Sequence, residues 1–448
     1  MNKQSVTDIV DQSPIGGLQI MTLLLCFIVL MINGLDASAM GYIAPELAQE
    51  WGVDRAELGP AFAAGLFGML LGSFICGPAA DRYGRKTVLL ICSVIVALGT
   101  LGYAFSSSIS VLVALRLLTG MGLGGVLPGC ITLVSEYSPI RWRMLLVTLS
   151  FSGFTLGMAL GGWVADLLLP VLGWRGLLFV GSIAPLVMLP VLYFMLPESI
   201  CFLANRPQQR AKLLRIVERI GGHRKWQDVI FTDGMDRKPG EKNLQLSPVA
   251  ALFSEGRTER TLLLWLTFFC CLFSFYLLSN WLPTVLRSSG FDARMALYVA
   301  AMLPLGGMIG GIITALLIDR IGIAKILPPL ALLASVALLV TGSQLGSSTR
   351  LLVCVFFVGF TLTGALNNIS ILSAGLYPTT ARATGVSWGI GVGHVGSITG
   401  AYLGSWLYTV VGDLQNFFYW MAIPALIAAL ALFCMTRRKD LFAVQAGS

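Results

Sequence analysis

Charge is scarce in this chain. Only 12% of its 448 residues are Asp, Glu, Lys or Arg, about half the share of an ordinary soluble domain. A chain so poor in charge cannot cover a globular surface with polar groups, which excludes a soluble enzyme and a nucleic-acid-binding domain. Histidine is rarer still: His223 and His394 stand far apart, and none of the nine cysteines falls in a CxxC pair. No zinc site and no disulfide framework are expected. There is no GxxxxGK[ST] segment, which argues against an ATP-driven pump. No nucleophile–base set or metal cluster stands out, so neither an enzyme nor a cofactor is expected. The 50 glycines keep no three-residue period, which excludes a collagen-like fibre, and the hydrophobicity excludes disorder.

Apolar residues are what the chain has in excess: 56% are hydrophobic, and the mean hydropathy is +0.81. The solvent for that surface must be lipid. Twelve stretches free of Asp, Glu, Lys and Arg reach spanning length: 12–35, 58–80, 87–115, 117–135, 144–165, 176–197, 261–286, 295–318, 326–349, 351–381, 383–412 and 414–436. A bilayer core takes about 20 apolar residues per helix, whereas barrel strands would be about 10 residues long and alternate in polarity. The expectation is an all-α membrane protein of twelve transmembrane helices in two six-helix halves, 1–197 and 261–448, joined by a charged cytoplasmic linker, 198–260. With both termini and the linker inside, the cytoplasmic segments hold 24 of the 30 Lys and Arg and the opposite side holds five. That asymmetry sets the orientation and accounts for the net charge of +8 without nucleic acid. The first apolar run is too long for a cleavable signal. Within the linker, Arg206–Gly221 puts Leu213, Leu214 and Val217 on one helical face, either a helix on the membrane surface or a solvated connector.

Two loops repeat. Gly77–Lys86 reads GPAADRYGRK and Asp319–Lys325 reads DRIGIAK, at corresponding places in the two halves. Halves related in this way are found in transporters that bind substrate between them near the midplane. The charges of these loops, Asp81, Arg82, Arg85, Lys86, Asp319 and Arg320, are candidates for a gating latch, with Glu136 and Arg382 beside them. Topology-setting positive charge would explain the Lys and Arg but not the acids.

Inside the spans, Asp36 is an acid at membrane depth, which costs roughly 2.5–3.5 kcal/mol on insertion scales. It persists if it faces a cavity, pairs or takes a proton, so it is the candidate proton carrier; a purely structural partner that neutralises Arg116 or caps a helix break near Gly34 is the alternative. Arg116 is the one Lys or Arg deep in a span, and its planar fork fits a carboxylate. It can bind an anionic substrate, pair with Asp36 or simply hold its helix to a neighbour. His394 can relay protons or pack among glycines. Asn33 offers a donor and an acceptor to a ring hydroxyl or to another helix. Tyr276 and Trp388 are candidates to stack on an aryl group. Glycines 120, 122, 124 and 125, and 153, 157 and 161, are spaced for close helix contact. Gly391–Gly396 fits GxGxxG, but within a span it is no dinucleotide site.

Gly77–Lys86 matches the signature G-x-x-x-D-R-x-G-R-K at every position, and the chain resembles the major facilitator superfamily. It is similar in particular to the aromatic acid:proton symporters of the 4-hydroxybenzoate/protocatechuate type. The matching segments are 35–60, 116–128, 135–139, 196–199, 280–290 and 377–393. The resemblance implies a proton symporter of the bacterial inner membrane importing an aromatic acid such as 4-hydroxybenzoate, protocatechuate or gentisate, and acting as a monomer. The chain departs from that pattern at Asn33, where the family has Asp, at His394, where it has Arg, and at Ile200-Cys201 after LPES. Met158, in place of the proline that antiporters carry after the glycine of the fifth span, favours symport over an aromatic-acid or drug exporter. A receptor that binds without transport would need a signalling domain larger than the linker.

Overall fold

The computed structural model describes residues 2–221, 229–232, 252–254, 257–377 and 379–437. It is built of long helices: α2 (Gly17–Trp51), α3 (Gly59–Tyr83), α4 (Arg85–Ala104), α5 (Ile109–Tyr137) and α6 (Ile140–Met195) before the linker. After it come α9 (Thr258–Ser288), α10 (Ala293–Ile321), α11 (Ile323–Ser343), α12 (Ser348–Leu376), α13 (Thr379–Val411) and α14 (Leu414–Arg437). Helix is the form in which apolar side chains can face lipid while every backbone polar group is satisfied within its own segment. Among the described residues, ten helices are long and apolar enough to cross a membrane.

Several boundaries differ from the charge-free spans. The first helix does not stop at Asp36 but runs on to Trp51, because one buried carboxylate does not break a helix. The third stretch, 87–115, holds a turn at Phe105–Ser108, and the Ser108 hydroxyl accepts the Val111 N–H at 3.4 Å to start α5. Arg116 therefore lies two turns inside α5, not at its edge. Helix α6 spans 56 residues and, between the fifth and sixth charge-free stretches as expected, is interrupted at Gly173, whose φ of 64° and ψ of −176° leave the helical region. Turns at the membrane surface can be built from Ser and Gly, so charge alone does not mark them.

The repeated loops have one geometry. Gly84 ends α3 at φ 101°, ψ 144°, and Gly322 ends α10 at φ 98°, ψ 144°. Each caps its helix with a backbone N–H, to the carbonyls of Ala80 and Ile318. A left-handed φ of this kind favours glycine, and it explains why Asp-Arg-x-Gly recurs.

The packing is also repeated. Helix α2 lies along α6 and α3 along α5; beyond the linker α9 lies along α13 and α10 along α12. Small residues let these backbones meet. A Cβ at Gly157 would overlap the carbonyl of Met31, and one at Gly120 that of Gly65, so these glycines bring main chains together. Two further pairs, α3 with α13 and α6 with α10, join the helices before the linker to those after it.

The linker is where the expectation fails most. It contains α7 (Ile200–Ala204) and α8 (Arg210–Gly221). Leu213, Val217 and Ile220 of α8 are buried, while Leu214 is only partly so. The apolar face neither lies on lipid nor meets water. It is covered by an N-terminal helix, α1 (Val6–Gln12), whose Val6, Ile9 and Val10 are buried. Two short strands, absent from the all-helical expectation, complete this unit: β1 (Asn2–Ser5) pairs in parallel with β2 (Val229–Thr232). Asp11 fastens it to the start of α6, accepting the Ile140 N–H at 2.7 Å and pairing with Arg143 at 3.3 Å.

Candidate functional site

Asp36 and Arg116 come together with two residues that neither charge nor motif marked. Asp36 is 3% exposed and Arg116 5%. The Thr100 hydroxyl of α4 donates to Asp36 Oδ1 at 2.5 Å, and the Tyr103 hydroxyl donates to the same oxygen at 3.4 Å. The Arg116 guanidinium stands 5.7 Å from the centre of the Tyr103 ring and interacts with its hydroxyl. Asp36 and Arg116 form no direct ion pair; Tyr103 touches both. Gly65 of α3 makes room for the arginine: a Cβ there would come within 3.0 Å of Nη2. The cluster is left partly unsatisfied. Asp36 Oδ2 and Arg116 Nε and Nη1 are buried without a hydrogen-bond partner. Unpaired buried polar atoms are costly.

The other candidates are spread out. Asn33 lies one turn before Asp36, 2% exposed, its Nδ2 donating to Val29 O at 2.6 Å and its Oδ1 unpartnered. Tyr276 is buried in α9, edge-on to Phe275. Trp388 in α13 is 44% exposed and stacks on Trp265 at 5.7 Å. His394 has a buried Nδ1 without a partner. Among the described residues no hydrogen bond or ion pair joins these four to the Asp36 cluster.

The loop charges close on their own side. Arg85 contacts Asp81 at 3.3 Å and Glu136 at 2.9 Å. Lys86 donates its backbone N–H to Glu198 at 3.0 Å and its ammonium to Tyr193 O at 2.6 Å. Ser199 donates to Glu136 at 2.5 Å. The Arg82 carbonyl accepts from Arg206 at 2.5 Å. The expected latch thus ties the α3–α4 loop to α5 and to residues 196–206, and these contacts do not cross the linker. Arg320 is exposed, and the side chains of Asp319 and Arg382 lie outside the described residues.

A sequence profile described as Major Facilitator Superfamily matches residues 26–371. The chain belongs to the major facilitator superfamily. Relatives within that superfamily include the 4-hydroxybenzoate transporter PcaK of Pseudomonas aeruginosa, 39% identical over 96% of this chain and 96% of its own. The gallate transporter of Pseudomonas putida is 38% identical over 95% and 94% of the two chains. The benzoate transport protein of Acinetobacter baylyi is 30% identical over 97% and 93%. Among solved structures, a D-xylose-proton symporter superposes with a TM-score of 0.69, covering 92% of this chain and 97% of that one at 16% identity. That likeness establishes the fold. The protein is a multi-pass membrane transporter and not an enzyme.

A major facilitator protein must close one end of its bundle while the other is open. Here contacts across the linker gather at the end away from the basic loops. The Tyr298 hydroxyl of α10 donates to Asp166 of α6 at 2.8 Å, and Arg294 pairs with Asp166 at 3.1 Å. The Phe62 and Trp281 rings meet at 4.9 Å, and a Cβ at Gly59 would approach Tyr402 O at 2.9 Å. A cavity of about 500 Å³ at this end is lined by Tyr42, Glu46, Asp166, Arg287, Arg294 and Leu297. Asp166 and Tyr298 were not singled out from sequence, and the charges at span ends, Arg287 and Arg294, read there only as topology signals.

Proposed function

We propose that the chain is a proton-coupled symporter that imports a hydroxylated aromatic carboxylate across the bacterial inner membrane. It crosses twelve times: α6 counts as two spans on either side of Gly173, and α13 supplies a further crossing beyond the ten apolar helices. The two bundles are residues 1–197 and 261–448, both termini are cytoplasmic, and the conformation described is closed towards the outside. The relatives transport 4-hydroxybenzoate, gallate or benzoate by name, and 4-hydroxybenzoate, protocatechuate, gallate and gentisate are the substrates to test.

The observation that carries the reading is the buried Asp36–Tyr103–Arg116 arrangement with open valences at both ends. Asp36 is the proton carrier, taking its proton on Oδ2. Arg116 receives the substrate carboxylate on its free N–H groups, where a charge-assisted bond in a dry site is strong. Asn33 and His394 address ring hydroxyls, and Tyr276 and Trp388 stack on the ring. The Asp81–Arg85–Glu136 network, with Arg82, Lys86 and the Asp319–Arg320 repeat, steadies the cytoplasmic ends as the halves rock.

One anion moving with one proton carries no net charge, so a pH gradient alone drives it; a second proton would add about 2.3 kcal/mol per 100 mV of potential. The test is uptake of labelled aromatic acids into proteoliposomes with an alkaline interior. Gradient-stimulated accumulation is expected, collapsing with a protonophore and absent in Asp36→Asn, which retains exchange of substrate across the bilayer. No accumulation of any aromatic acid refutes the proposal, and full accumulation in Asp36→Asn removes that residue from the coupling role.

A further inference from the structure

Thr100 and Tyr103 lie one turn apart on the same face of α4, both fully buried at 1% and 0% exposure. Both hydroxyls donate to one oxygen of Asp36, at 2.5 and 3.4 Å. The other oxygen, Oδ2, has no partner. The carboxylate is therefore held asymmetrically, with one oxygen occupied and one vacant. Tyr103 faces two ways: its hydroxyl meets Asp36 and its ring lies against the Arg116 guanidinium. The ionisable groups facing Asp36 are thus Tyr103 from α4 and Arg116 from α5. The stretch of α6 packed beside it, Gly153–Met158, carries no ionisable side chain, and neither does Gly65 of α3.

We infer that Thr100 and Tyr103 are positioning residues that confine protonation of Asp36 to Oδ2, and that Tyr103 transmits occupancy of Arg116 to Asp36. Thr100 holds the carboxylate in one orientation and favours its charged form, since a donor stabilises the anion. A substrate carboxylate on Arg116 Nε and Nη1 shifts the guanidinium away from Tyr103. The Tyr103 hydroxyl then follows the arginine and loosens from Oδ1, so that Asp36 takes its proton more readily when substrate is present. Substrate and proton are in this way admitted together. The inference rests on the assignment of Asp36 as the proton carrier.

The experiment compares Thr100→Val, which keeps the shape without the hydroxyl, Thr100→Ser, which keeps the hydroxyl, and Tyr103→Phe, which keeps the ring. Each is reconstituted and read by the external pH at which gradient-driven uptake of 4-hydroxybenzoate falls to half, and by counterflow, which needs no net proton movement. Thr100→Val removes a donor to the anion, so its half-point is expected about one pH unit higher. Thr100→Ser returns it to the wild-type value, and counterflow persists in both. In wild type, saturating substrate raises the half-point; in Tyr103→Phe that dependence disappears. An unchanged half-point in Thr100→Val, no restoration by serine, or a retained substrate dependence in Tyr103→Phe overturns the inference. If Thr100→Val does not assemble, the Tyr103→Phe comparison decides alone. Loss of accumulation in Asp36→Asn together with a normal half-point in Thr100→Val defeats this inference only, whereas normal accumulation in Asp36→Asn defeats the proton-carrier assignment itself.

Discussion

Tyr298→Phe tests whether the outer closure is set by few contacts. The hydroxyl of Tyr298 reaches Asp166 at 2.8 Å across the bundle, and phenylalanine removes that bond while keeping the ring. Hydrogen bonds to charged groups contribute about 1.5–3 kcal/mol. The Asp166 side chain is 19% exposed, so solvent competes and about 1 kcal/mol is the appropriate figure. Removing it from the closed state alone raises the ratio of outward-open to closed molecules about fivefold. Phenylalanine also removes the bond that Arg294 Nε donates to the Tyr298 hydroxyl at 3.1 Å within α10, whereas the Arg294–Asp166 pair remains in the variant. Pulsed spin-label distances between the α6 and α10 ends of the outer face measure the populations directly. A larger outward-open fraction is expected, with a lower external KM for substrate. A distance distribution identical to wild type, or a shift towards closure, would refute the view that this bond stabilises the closed end.

Two other substitutions probe different parts of the molecule. Gly84→Ala places a side chain at φ 101° and drives its Cβ into the Glu198 carboxylate, costing about 1–3 kcal/mol; a lower thermal midpoint in detergent and slower transport are expected, and an unchanged midpoint would show that the Lys86–Glu198 contact is dispensable. Arg116→Ala abolishes substrate binding, and Arg116→Lys restores little because the ammonium lacks the planar fork; a loss of about 10–100-fold in affinity for the lysine variant, measured by calorimetry, is expected from the bonds removed, and wild-type affinity there would dismiss the carboxylate-binding role.

The spans and the repeated loop were legible because they follow one-dimensional rules. Lipid tolerates long charge-free runs, and Asp-Arg-x-Gly marks a helix end with a left-handed glycine. Asp36 and Arg116 were legible because charge at membrane depth is expensive. Thr100 and Tyr103 were not, since a threonine and a tyrosine in an apolar helix carry no cost that singles them out; only the third dimension sets them against Asp36. The turn at Phe105–Ser108 escaped for a related reason, as it contains no charge, whereas the break at Gly173 falls between the fifth and sixth charge-free spans. Residues 206–221 showed an amphipathic face, but its partner is α1, far away in the sequence, and composition does not report which apolar faces find each other.

The parallel pairing of β1 with β2 bears on how the protein is made. Asn2–Ser5 precede α2 to α6 in the chain, whereas their partner, Val229–Thr232, follows those helices, so the pairing forms only after they have been made. Until then the backbone edge of β1 and the apolar side of α1 lack the partners that cover them here. This clasp therefore closes late in synthesis, and a substitution such as Val10→Asp that spoils the buried side of α1 is expected to lower the yield of folded protein.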